Sequence, residues 1–265
     1  VYREMDIGTA KPDARERATL EHVMIDCVDP AEVWSVGEHL RQAQEHIAAA
    51  LEAKRPVVIV GGTGLYVRGL VEGLCDGPAR DAGLRRQFES REQEAPGSLY
   101  AELVARDPET ADRLSPGDLR RIIRALEVLY LTGTGITRLH REQTRPGPWK
   151  YALVGLILDR DELAARIEAR VERMFADGLF AEVSRLVERG CHAGMTSMQG
   201  VGYRECLACI EGRISLDQAR HECVVNTRAL AHRQIMLFRR MPSLVWFHAR
   251  DYERIAAHCA KEVQE

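Results

Sequence analysis

Arg166, Arg170 and Arg173 stand at i, i+4 and i+7 of RIEARVERM, so on a helix their guanidiniums share one stripe. Like charges at this spacing repel by roughly 0.2–0.5 kcal/mol per pair. Glu168 and Glu172 lie off the stripe and do not neutralise it directly. Such a stripe is mildly disfavoured unless an anion sits against it, and a phosphate oxygen suits the guanidinium fork. A salt-bridged surface is the plainer alternative. RRIIRALEV carries a second cluster, Arg120, Arg121 and Arg124. Arg120 and Arg124 share a face while Ile122, Ile123 and Leu126 pack inward, which describes either a solvated helix face or a row of phosphate contacts to a nucleic acid.

Two glycine-rich runs could bring a ligand close to the backbone. Gly61-Gly62-Thr63-Gly64-Leu65-Tyr66 follows the β-rich run PVVIV, and the carboxyl end of a strand is where open α/β sheets bind ligands. It lacks the Gly-Lys-Ser/Thr ending of a Walker A loop, and a tight strand-to-helix turn is an equal reading. Gly200-Val201-Gly202-Tyr203-Arg204 places an aromatic ring and a guanidinium at a helix start, where a base could stack on Tyr203 or meet Arg204. A capped turn with a packed tyrosine is the commoner outcome. The opening VYREMDIGTAKP concentrates Asp6, Gly8, Thr9 and Lys11 before Pro12, and taken alone it reads as a polar turn. Arg228, His232, Arg233, Arg239 and Arg240 give a late helix a basic side. Cys206 and Cys209 form a lone CxxC without a second close pair, so no structural zinc site is expected.

The elements that must position these residues follow an α/β order. LEHVMIDC (Leu20 to Cys27) is a short apolar segment ended by Asp29-Pro30. Ser35 with Glu38 forms a capping-box pattern ahead of a helix, and Pro56 to Val60 then reads as a strand. Strand, helix, strand implies a parallel sheet. From Gly77 to Pro148 the pattern is helical, with candidate helices over 81–94, 98–106, 108–114 and 118–131 and proline-glycine breakers on both flanks. The expected organisation is an α/β core over 1–76 and 149–265 with a helical insertion over 77–148. Tyr151 to Leu158 reads as a strand buried on both faces. A helix started by Asp159-x-x-Glu162, helices over 180–189, 203–211 and 216–239, the strand SLVWF and a closing helix follow.

Composition narrows the function. The 265 residues carry 37 Lys and Arg against 40 Asp and Glu, a net charge of -3, so any nucleic-acid surface is a local basic patch. No apolar stretch is long enough to span a bilayer. Seven scattered cysteines show no disulfide framework, which points to a reducing cytoplasm.

In this order, MDIGTAKP, VGGTGLY, RRIIRALEV, RIEARVERM and VGYRE closely resemble the bacterial tRNA dimethylallyltransferases, and the resemblance covers nearly all of the chain. It implies a P-loop-type α/β core with an inserted helical domain, and a channel that admits a flipped adenosine. It implies transfer of a dimethylallyl group from dimethylallyl diphosphate to the exocyclic amine of the adenosine 3′ to the tRNA anticodon. Mg²⁺ is the implied cofactor, and a cytoplasmic monomer is expected. Carried over by position, Arg170 matches the arginine that holds the diphosphate, with Arg166, Gly61, Gly62 and Thr63 as substrate-binding neighbours. Thr63, Arg85, Arg120, Arg121, Arg124, and Gln199 to Arg204 match tRNA-binding positions. The chain departs from the family at Gln199, where Arg is usual, and at PGDLRR (Pro116 to Arg121).

The family opens with a Gly-x-Thr-x-x-Gly-Lys-Thr loop and an Asp-Ser pair that would precede Val1. The expectation is therefore a truncated chain, inactive by itself, from an active full-length enzyme. An adenylate isopentenyltransferase, a P-loop kinase and a non-catalytic tRNA-binding protein are the competing readings.

Overall fold

The computed structural model describes residues 1–75 and 77–264. In chain order its helices and strands are α1 (Ala14–Thr19), α2 (Val36–Glu52), α3 (Gly64–Val71), α4 (Ala82–Glu94), α5 (Ser98–Arg106), α6 (Pro108–Ala111), α7 (Leu119–Thr132), α8 (Ile136–Gln143), β1 (Leu153–Ile157), α9 (Arg160–Ala176), α10 (Leu179–Glu188), α11 (Tyr203–Ile210), α12 (Leu216–Phe238), β2 (Leu244–His248) and α13 (Tyr252–Gln264). The chain packs as two units, residues 1–67 with 151–265, and residues 68–150. The helical unit thus begins at Arg68, ahead of the Gly77-Pro78 breaker. The boundary expected at residue 76 falls on Asp76, which lies outside the described residues.

Capping explains where many of the helices start. The Ser35 hydroxyl accepts the amide of Glu38, and Leu40, Ala43 and Ile47 form the buried stripe of α2. Glu38 does not complete the capping box, because its carboxylate is drawn to Arg41 and Gln42. Asp81 caps α4, Asp118 caps α7, and Ser215 forms a reciprocal box with Gln218 at α12. Asp159 precedes α9 without a side-chain cap, and Glu162 turns instead to Arg166 and Arg250.

In the unit built from both chain ends, α9 to α12 surround a core of Val171, Leu179, Val183, Leu186, Met198, Cys206 and Leu207. Met5 of the opening segment is buried in the same cluster. β1 and β2 pair in parallel, Leu153 opposite Leu244 and Ile157 opposite His248. The α/β character is therefore present as a small parallel sheet. β1 is not buried on both faces as its composition suggests, since Leu156 is 57% exposed.

Two expected strands do not form. Residues 56–60 run without a ladder, with Val58 80% and Val60 91% exposed. Residues 20–27 are also irregular, and only an isolated parallel bridge joins Tyr2 to Val28. β-propensity describes a fit to a paired surface; residues 56–60 bond to no described segment, and the opening segment meets only the end of the other run, at Cys27 and Val28.

The helical unit packs α4 to α8 around Phe88, Leu99, Leu103, Ile122, Ile123 and Leu126. The helix expected over 108–114 shortens to α6, whose first turn is set by Pro108 and capped by Asp107. Sequence reading misses α8, where Leu139 supplies the buried residue.

Candidate functional site

The opening loop and α9 enclose a cleft of about 890 Å³ lined by Arg3, Asp6, Ile7, Lys11, Arg17, Asp26, Arg170, Arg173 and Asp177, among others. Its charges sort into spent and unspent groups. Lys11, with a side chain only 5% exposed, bonds to Asp6, to Asp26 at 2.6 Å and to the Tyr2 carbonyl at 2.9 Å. Arg17 pairs with Asp26 at 2.9 Å. The Lys11 hydrogen bond is the main reason Asp26 is held below the usual carboxylate range; partial burial opposes it and Arg17 adds to it. Asp13 is spent capping α1, and Glu4 pairs with Arg189 at 2.5 Å.

Three cations keep their charge available. Arg170 and Arg173 have no ion-pair or hydrogen-bond partner among the described residues. Arg3 donates only to the carbonyls of Asp26 and Cys27. The one lining carboxylate without a described partner is Asp177, at the end of α9. The lining holds five cations and five carboxylates, but the side chains left without a described acidic or basic partner are three guanidiniums against one carboxylate. Arg166, one turn back on the same helix, is paired with Glu162 at 3.0 Å and does not line the cleft. Of the sequence stripe, the structure brings together Arg170 and Arg173 and leaves Arg166 out.

The loop that faces these guanidiniums is held from behind. Glu182 of α10 is 2% exposed and accepts the amides of Asp6 at 3.0 Å, Ile7 at 2.9 Å and Gly8 at 3.4 Å. Oε2 takes the Asp6 and Ile7 amides, and Oε1, which takes that of Gly8, also accepts the Tyr203 hydroxyl at 2.5 Å. Tyr203 is 1% exposed, and a Cβ on Gly8 would come within 2.4 Å of its ring, so Gly8 is required by close approach. This corrects the idea that a base stacks on Tyr203, whose ring faces are already used. Burial, with the Glu182 carboxylate beside it, pushes the phenol well above its ordinary range.

The rest of the Gln199–Arg204 turn is only partly free. Gln199 ends a 3-10 turn and is exposed with Gly200, Val201 is half-buried, and Gly202 at φ +94 lets α11 begin. Arg204 donates at 2.6 Å to Glu205, which also takes the Gly202 amide and Asn226.

Gly61 and Thr63 are exposed in the loop before α3. Gly62 gives its carbonyl to Gln234 at 3.0 Å, and Cβ atoms on Gly62 and Gly64 would strike Gln234 and Leu237. These two glycines thus pack closely on side chains of α12, and the loop does not line the cleft.

In the helical unit, Arg85 and Arg124 are not free. Both bind Glu127, which is fully buried. Arg121 sits 3.4 Å from Asp118, and Arg120 is exposed without a described partner. Arg80, which sequence reading missed, completes the cluster. Partial burial first, and the charges of Arg85, Arg120 and Arg124 next, lower its pKa. One carboxylate therefore stands among four guanidiniums.

Sequence reading also missed the buried acids. A signal was present: Glu182 stands at i+3 in the apolar stripe Leu179, Val183, Leu186, where a charge survives only with partners. A second group of potential metal ligands, Asp159, Glu162 and His248, lies within 4.8 Å. Glu162 there is already held by Arg166 and Arg250.

No helix is long and apolar enough to cross a membrane among the described residues. Residues 1–241 match the family model described as IPP transferase. A tRNA dimethylallyltransferase of Pelotomaculum thermopropionicum is 39% identical over all of this chain and 83% of its own length. Another, tRNA dimethylallyltransferase 2 of Syntrophus aciditrophicus, is 39% identical over 98% of this chain and 85% of its own. The crystal structure of the full-length tRNA isopentenylpyrophosphate transferase from Bacillus halodurans superposes with a TM-score of 0.71 at 33% identity, covering 100% of this chain and 85% of that one.

Proposed function

The chain belongs to the IPP transferase family, and from that membership we infer that the protein is a tRNA dimethylallyltransferase. It moves a dimethylallyl group from dimethylallyl diphosphate to the exocyclic amine of the adenosine 3′ to the anticodon. The bond from the allylic carbon to the diphosphate oxygen breaks with its electron pair going to diphosphate, a carbon–nitrogen bond forms, and the amine releases a proton.

The observation that carries our reading of the site is the trio of guanidiniums without a described acidic partner, Arg3, Arg170 and Arg173, around one cleft. Charge grows on the departing diphosphate, and donors fixed before the reaction stabilise it without reorganising. Arg170 and Arg173 are fixed by α9, whose adjoining side is buried through Ile167, Val171 and Met174. Asp6, whose Oδ1 is paired with Lys11 and whose side chain is 60% exposed, keeps its second oxygen for Mg²⁺, which takes one or two carboxylates together with substrate oxygens and water. When bound, Mg²⁺ would neutralise leaving-group charge.

We read the unit carrying β1 and β2 as a P-loop-type core and residues 68–150 as the family's inserted domain. The exposed Gln199–Gly200 turn, Thr63, Arg120, Arg121, and the Arg80–Arg85–Arg124 cluster are the tRNA phosphate contacts in this reading. The protein works in the cytoplasm as a monomer.

The test is prenylation of an anticodon stem-loop by the full-length protein. Arg170→Ala is expected to lower kcat/KM about 10²–10³-fold, as loss of a charge-stabilising donor does. Arg166→Ala should cost less, because Glu162 already occupies that guanidinium. Equal losses would overturn the assignment of the cleft.

A further inference from the structure

We propose that Glu182 is a positioning residue for the diphosphate site, acting through the loop Met5–Thr9. This rests on the reading of the cleft given above.

Three successive backbone N–H groups, those of Asp6, Ile7 and Gly8, converge on the Glu182 carboxylate. A concavity of this kind is an anion-binding nest, and here the protein fills it with its own anion. The same loop turns its other side to the cleft, where Asp6 and Ile7 line the wall together with Arg170. The loop has no sheet ladder; its remaining hydrogen bonds are local, from Thr9 to the Met5 carbonyl, from Ala10 to the Ile7 carbonyl and from Lys11 to Asp6, and Met5 is buried in the core. Through the Glu182 side chain α10 holds the loop's backbone amides, beside the anchor that Met5 makes in the core. Tyr203 closes the arrangement, packing its ring on Gly8 and giving its hydroxyl to the same carboxylate.

The chemistry demands a carboxylate. Four donors meet Glu182 and no acceptor does, so an acceptor-only group satisfies all of them. Glutamine has the same shape but would turn an NH₂ toward at least one N–H. The loop would have to retreat to relieve that opposition, carrying Asp6 with it.

The experiment measures binding of inorganic diphosphate and of an anticodon stem-loop to the full-length protein, with steady-state kinetics for dimethylallyl diphosphate. Glu182→Gln is expected to weaken diphosphate binding about tenfold, the consequence of leaving buried donors unsatisfied. The KM for dimethylallyl diphosphate should rise in parallel, with stem-loop affinity held within about twofold. A role confined to core stability would lower the melting temperature and leave diphosphate affinity of the folded protein unchanged. That result, or equal weakening of both ligands, overturns the proposal. If Glu182→Gln does not fold, Gly8→Ala displaces the same loop while keeping the carboxylate. It must produce the same selective loss, and unchanged diphosphate affinity in it counts against the proposal equally. Arg170→Ala is the control. Loss of diphosphate binding there with none in Glu182→Gln defeats this inference alone, whereas no loss in Arg170→Ala defeats the reading of the cleft.

Discussion

Glu127 and Arg85, 42 residues apart in sequence, form a two-pronged pair, with Nε to Oε1 at 3.0 Å and a terminal nitrogen to Oε2 at 3.1 Å. Arg124 adds a bond at 2.8 Å and the Asp81 amide another at 2.8 Å, all on a carboxylate with no exposed surface. The α4–α7 contact is thus fastened by one acid.

Glu127→Ala should destabilise the helical unit by about 3–5 kcal/mol, since two guanidiniums would lose their counter-charge. Burial raises the carboxyl's pKa, but the bonds from Arg85 and Arg124 outweigh it and hold it below its ordinary 4.5. A depressed folded value means the stabilisation is complete above about pH 4.5 and is lost as pH falls through the folded value. Urea unfolding of wild type and variant should therefore differ at pH 7 and converge toward pH 3.

Gly73 and Gly97 offer a matched pair of substitutions in the same unit. Both have positive φ, +91 and +86. A Cβ on Gly73 would lie 1.8 Å from the Arg145 carbonyl oxygen, while one on Gly97 meets open space. Gly97→Ala should cost only the left-handed penalty, about 1–2 kcal/mol. Gly73→Ala must also displace backbone, and thermal melts should show the larger loss there.

The cysteines should separate by reactivity. Burial pushes the Cys206 thiol up to about 12 and the Cys223 thiol up to about 11. Cys259 is exposed. Because the thiolate is the nucleophile, Cys259 should react first with a thiol reagent at pH 8, and Cys206 and Cys223 only in denaturant. Cys259→Ser should remove the fast phase, which mass spectrometry of the labelled protein would read out.

What the sequence made legible was local. Ser35 was readable as a cap, and the helices expected from 81, 118 and 216 start within a residue of those positions, because the signals that start a helix are neighbours in the chain. The Arg170–Arg173 spacing gave the wall of the cleft for the same reason. Arg3, the third open guanidinium, carries no such spacing. Nor could RRIIR reveal that Arg124 is committed, together with Arg85 from α4, to a carboxylate inside the apolar stripe. Tyr203 looked available for stacking because its partners, Gly8 and Glu182, lie at distant positions in the chain. The run Pro56–Val60 failed differently: its residues favour a strand, but a strand is a property of two segments.

That run has a kinetic meaning. Val57, Val58, Ile59 and Val60 have no backbone hydrogen-bond partner among the described residues. Their amide hydrogens are left to exchange with solvent as those of an unfolded peptide would, while the neighbouring turns of α2 and α3 are shielded by their own ladders. A strand-like composition is thus left as unprotected backbone. In concentrated solution the same β-branched stretch is where molecules would begin to associate edge to edge.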